Sequence, residues 1–113
     1  MLCHRLRDPR LRALILLTLV LAAASSVALA ATRTVFVRDN YFSVKTLTVG
    51  RGSRVSWQWR GALNHNVTVK SGPVRFHSRT QYQGSFSHTF LRAGTYRLYC
   101  TLHPDMKMTV VVR

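Results

Sequence analysis

From residue 31 onward, apolar and polar side chains alternate in short runs. Val55, Trp57 and Trp59 take turns with Ser56, Gln58 and Arg60. Tyr96, Leu98 and Cys100 take turns with Arg97, Tyr99 and Thr101. A two-residue period is that of a strand with one buried and one wet face. Strands are predicted near 33–38, 44–49, 54–59, 66–70, 86–90, 95–100 and 108–112. Turns are signalled at Gly50-Arg51-Gly52-Ser53 and Ala93-Gly94, and a long polar loop at 71–85. No segment after residue 30 has a helical period. About seven short strands at this spacing predict an all-β, antiparallel β-sandwich.

The pattern also sorts individual residues. Trp57 and Trp59 belong to the core. Cys100 faces inward at a strand end. His88 shares a face with Phe86 and Phe90, as a hydrogen-bonded histidine at the core margin would, and His77 falls in the exposed loop.

Before residue 31 the pattern is different. Residues 1–12 carry four arginines, the run ALILLTLVLAAA follows, and the segment ends in SSVALA. A basic head, a short apolar run and a small-x-small end describe a secretory leader. Cleavage after Ala30 would divide the chain into a signal peptide, 1–30, and one domain, 31–113. Export to a periplasmic or extracellular space follows. A retained anchor is the alternative, although the apolar run is short against the ~20 residues that span a bilayer.

The whole chain carries a formal charge of +14. Residues 31–113 keep 13 Lys/Arg against two carboxylates, Asp39 and Asp105, so the basic character belongs to the domain. A spread positive field suits solubility and the steering of acidic partners. With an export signal and no nucleic-acid motif, nucleic acid is not expected as a partner. Two carboxylates, with no paired-acid motif and no Ser-His-Asp arrangement, give no catalytic apparatus, so an enzyme is not expected.

The domain has one cysteine, Cys100. A lone thiol in an oxidising compartment cannot form an internal staple and is open to oxidation unless buried or bound to metal. Its neighbours decide the reading. Cys100-Thr-Leu-His103-Pro-Asp-Met106 brings a thiolate, an imidazole and a thioether within seven residues, and His65 stands upstream in Asn64-His65-Asn66-Val67. Two imidazoles and a thiolate with a weak axial methionine are the blue-copper donor set. Met106 is the expected axial donor. Met108 is the alternative, but it opens the last predicted strand, where a core role suffices.

These residues resemble the cupredoxins, in particular the plastocyanin, pseudoazurin and amicyanin group. Leu47 to Trp57 is similar to that family's strand–turn–strand before the first ligand loop, His65-Asn66-Val67 to its first histidine and following asparagine, and Ala93 to Met106 to its closing ligand loop. The resemblance implies a Greek-key sandwich binding one type 1 copper ion through His65, Cys100, His103 and Met106, and passing single electrons between redox proteins. It also implies that Asn66 ties the two ligand loops together and that electrons leave by His103, through the apolar patch of Ala62, Leu63, Leu102 and Pro104. Leu102 stands where several relatives carry proline. Its N–H is a candidate hydrogen bond to the sulfur, which would favour Cu(I) and raise the potential. The expected partner is a redox protein with an acidic docking surface, the expected state a monomer, off the membrane unless the leader is retained. Copper storage, delivery or resistance is the alternative function.

Overall fold

A computed structural model describes residues 29–113, so all but the last two residues of the proposed leader lie outside the described part. Among the described residues there is no helix, and eight strands form two four-stranded sheets. They are β1 (Thr32–Arg38), β2 (Tyr41–Phe42), β3 (Thr46–Val49), β4 (Arg54–Trp59), β5 (Thr68–Ser71), β6 (Ser85–Thr89), β7 (Gly94–Cys100) and β8 (His103–Val112). One sheet has the order β2-β1-β4-β6 and the other β3-β8-β7-β5.

The alternation works as the sequence predicts. Val55, Trp57 and Trp59 of β4 and Tyr96, Leu98 and Cys100 of β7 are all buried. They meet Val35 and Val37 of β1, Leu47 and Val49 of β3, and Met106, Met108, Val110 and Val112 of β8 in one continuous core. Trp57 lies near its centre, with Phe76, Phe86 and Phe90 at ring-centroid distances of 6.2, 5.9 and 6.4 Å. Such tilted aromatic groupings add to what area burial alone contributes. At the base of β7, Tyr96 Oη donates to the Arg92 carbonyl at 2.8 Å. This local corner is found in many sandwiches. Gly94, with φ of 145°, could not carry a side chain there, because a Cβ would come within 2.5 Å of Pro73 Cγ.

Three features are finer than the hydrophobic pattern reveals. First, two of the pairings are parallel, β1 with β4 and β3 with β8, while the other strand pairs are antiparallel. Side-chain alternation is the same in both arrangements, so it carries no information on strand direction. Second, the two-residue strand β2 is too short to show a period. Third, the last strand begins at His103 rather than near 108. Between Tyr99 and Cys100 the register jumps from Lys107 to His103, so residues 104–106 bulge out of the β7–β8 ladder. Pro104 has no N–H to give a ladder, and a bulge is where a strand tolerates it.

The 71–85 loop folds back along residues 65–69. Ser78 N–H donates to the Val67 carbonyl and Val69 N–H to that of Phe76, while His65 and Gln81 exchange both backbone hydrogen bonds. The segment carrying His65 is thereby held on one side by the sheet and on the other by the loop.

Candidate metal centre

At one end of the sandwich, β7 ends in Cys100, a two-residue turn follows, and β8 begins with His103. The β4–β5 connection reaches the same place with His65. One donor atom from each of the three lies within 4.8 Å of the others. His65 Nδ1 is 3.9 Å and His103 Nδ1 is 3.8 Å from Cys100 Sγ. Both rings therefore turn the same kind of nitrogen toward one sulfur. Cys100 and His65 are fully buried and His103 is half-buried.

Asn66 joins the two loops. Its backbone N–H donates to Cys100 Sγ at 3.5 Å. Its side-chain nitrogen donates to Thr101 Oγ1 at 2.7 Å and to Thr80 Oγ1 at 3.0 Å. Its side-chain oxygen accepts from Thr101 N–H and from Thr68 Oγ1. All four of these side-chain hydrogen bonds are spent on positioning, and the backbone N–H faces a sulfur that gains from a donor when ionised.

The two methionines differ in what their surroundings ask of them. Both lie on the inward face of β8 and are buried. Met108 Sδ accepts the Trp57 indole N–H at 3.4 Å, deep between the sheets. Met106 belongs to the bulge next to the Cys100–His103 turn. Leu102 sits exposed on that turn, and Leu63 is exposed on the neighbouring loop; Ala62 and Pro104 are exposed as well.

One residue of the site was not foreseen in the sequence. Asp39, in the β1–β2 turn, places Oδ1 3.0 Å from His65 Nε2. The same carboxylate accepts N–H bonds from Ala62 and Leu63 at 3.0–3.1 Å. These two backbone donors, followed by His65, lower its pKa to about 2. Nothing in a 26-residue separation announces this contact. The usable hint is that Asp39 is one of only two carboxylates in an otherwise basic domain.

The other two histidines lie elsewhere. His77 is exposed on the loop, its Nδ1 near the Ser78 carbonyl. His88 stacks on Phe76 at 3.8 Å and meets the edge of Phe90 at 4.9 Å. Burial pushes its pKa down.

The cupredoxin-like domain model matches residues 11–112. The chain belongs to the cupredoxin-like family. Among curated proteins, this cupredoxin is similar to amicyanin-alpha of Methylorubrum extorquens, with 40% identity over 76 residues, covering 63% of each chain. It is also similar to amicyanin of Paracoccus denitrificans, with 35% identity over 75 residues, covering 63% of this chain and 57% of that one. The matches thus span about three fifths of the length of those relatives. Among solved structures, a reduced Cu(I) form of an amicyanin variant at pH 4 superimposes with a TM-score of 0.65 at 33% identity, covering 80% of this chain and 89% of that one. A purple cupredoxin of Nitrosopumilus maritimus gives a TM-score of 0.65 at 21% identity, over 72% and 99% of the two chains, a likeness of fold.

The cofactor of this cupredoxin is one copper ion. Two imidazole nitrogens facing a single buried sulfur suit it, because copper in its two oxidation states favours nitrogen and soft sulfur respectively. The Asn66 N–H also approaches that sulfur, at 3.5 Å.

Proposed function

We propose that this cupredoxin is an exported electron carrier in which His65 Nδ1, His103 Nδ1, Cys100 Sγ and Met106 Sδ would hold one copper ion. When bound, the metal supplies a one-electron Cu(II)/Cu(I) couple. The observation that carries the reading is the pair of Nδ1 atoms at 3.8 and 3.9 Å from one buried sulfur. The chain's part is to keep these donors in place whichever oxidation state is present. Buried hydrogen bonds from Trp59 Nε1, Gln81 and Asn66 hold the 65–66 segment, and the β7–β8 ladder holds the other. A site that need not rearrange exchanges electrons with little reorganisation.

Met106 is preferred to Met108 because the Met108 sulfur already has the Trp57 N–H as its partner. His103 is the donor ring with an edge toward solvent, in the company of exposed Leu63 and Leu102. A small apolar patch on a strongly basic molecule fits brief docking to a redox protein with an acidic surface. The leader motif supports export, and the scarcity of carboxylates supports a carrier without substrate chemistry. We read the molecule as a monomer.

The test is to add Cu(II) to the purified domain and record optical and paramagnetic resonance spectra through a reduction cycle. An intense blue band that bleaches and returns is the expected result. Colourless, readily exchanged Cu(I) would favour storage or delivery instead.

A further inference from the structure

Thirteen Lys and Arg side chains lie in residues 31–113, yet the one carboxylate contact within ion-pair distance among the described residues is between Asp39 and His65. Asp39 is not spent on a surface cation. It reaches over the β1–β2 turn, whose Asn40 takes φ of 71°, and accepts from two backbone N–H groups and the back nitrogen of a buried ring. A third residue makes this possible. Gly61 lies where an added Cβ would come within 2.3 Å of Asp39 Oδ1, 2.7 Å of its Cγ and 3.0 Å of its backbone nitrogen. Gly61 does not have the positive φ that would by itself demand glycine. What requires it is the space taken by the carboxylate.

We propose that Asp39 is the positioning residue of the metal centre, and that Gly61 is left without a side chain in order to seat it. The inference rests on the copper-binding reading above and extends it to a residue that touches no metal. A carboxylate accepting from Nε2 fixes the ring's orientation and keeps the proton on Nε2, leaving the Nδ1 lone pair directed at Cys100 Sγ. It also adds negative charge behind one ligand and makes that ligand more basic, which stabilises the more highly charged Cu(II). Among the described residues, no carboxylate stands behind His103 in this way. The centre is therefore held from one side, by an anion the fold keeps 3.0 Å behind His65.

The experiment compares wild type, Asp39→Asn, Asp39→Ala, Gly61→Ala and the Asp39→Ala/Gly61→Ala double variant. The reduction potential of the copper-loaded protein and the nitrogen NMR of His65 in the metal-free protein are measured for each. Asp39→Asn keeps an acceptor but removes the charge. It should shift the couple toward Cu(I) about tenfold, which for one electron is a rise of about 59 mV. Asp39→Ala should raise the potential at least as far, speed exchange of the His65 Nε2 proton and let both ring tautomers appear. Gly61→Ala should act in the same direction. In the Asp39→Ala background, however, it should add little, because the carboxylate it displaces is gone. An Asp39→Asn potential within twofold in equilibrium of wild type, with an unchanged His65 ring signal in Asp39→Ala, would overturn the proposal. So would fully additive effects of the two alanine substitutions on the potential. Lowered unfolding stability with the wild-type potential retained would make Asp39 a structural residue only and refute it too. Failure of the underlying reading looks different: wild type itself would give no blue band.

Discussion

His65 is completely enclosed and His103 is partly open to solvent, although both present Nδ1 to the same sulfur at nearly the same distance. The closed ring has its backbone N–H and carbonyl paired with Gln81, its carbonyl also accepting from Trp59, and its far nitrogen against Asp39. The open ring follows a two-residue turn at the end of a hairpin. One proposed ligand is thus part of the core and the other part of the surface. On the proposed reading, the first would set the geometry of the centre and the second would give it contact with a partner.

The strongest way to break this comparison is to remove each ring. His65→Ala and His103→Ala should both abolish the blue Cu(II) band. In the metal-free protein, however, denaturant unfolding should show that His65→Ala costs about 3 kcal/mol, since it leaves a cavity and strands buried partners. His103→Ala should cost under about 1 kcal/mol, as surface truncations do. Equal costs would mean that the two rings are not differently embedded.

The same division can be sought between the thioethers. Met106→Ala and Met108→Ala should each destabilise the metal-free domain by about 2–4 kcal/mol, because both side chains are buried. Only Met106→Ala should change the Cu(II) spectrum appreciably. A spectral change on Met108→Ala alone would reverse the assignment.

His88 offers a smaller test, a ring half-buried against Phe76. Burial lowers its pKa in the folded state, so the unfolded chain binds the proton more readily. Its contribution is complete above the ordinary imidazole value of about 6.5 and is lost as pH falls from there through the lowered value. Unfolding of the metal-free domain between pH 8 and 5 should show a shallower slope in His88→Phe than in wild type. The smallest effect is expected at Leu102, on the open side. Among the described residues the backbone donor to Cys100 Sγ is the Asn66 N–H at 3.5 Å and not the expected Leu102 N–H, so Leu102→Pro should lower the potential only slightly. An equal or higher potential by voltammetry would refute a role for that N–H.

Much of this could be read in the sequence wherever chemistry and period coincide. Cys100, His103 and His65 are rare residue types in a basic β domain, and the alternation of Tyr96, Leu98 and Cys100 already turns the thiol inward. What could not be read depends on topology. Asp39 meets His65 because β1 runs parallel to β4, which brings the β1–β2 turn over the end of the sheet from which the His65 loop emerges. Gly61 carries no signal in the sequence, and only the fold shows the Asp39 carboxylate in the space that a side chain there would take. The start of the last strand at His103 is hidden because Pro104, Asp105 and Met106 bulge out of a ladder whose pairing resumes at Lys107.

The two parallel pairings also govern the order in which the chain can assemble. The β7–β8 hairpin joins near neighbours, whereas Thr46 must find Thr109 and Thr32 must find Arg54 before the sheets are complete. Pairings between distant segments are slow to form. The hairpin that carries Cys100 can therefore close early, while the cover over its sulfur waits for the rest of the chain. During that interval the thiol stands unshielded, so in the oxidising compartment to which the proposed export would bring it, the speed of folding would bear on how much of the protein reaches a usable state.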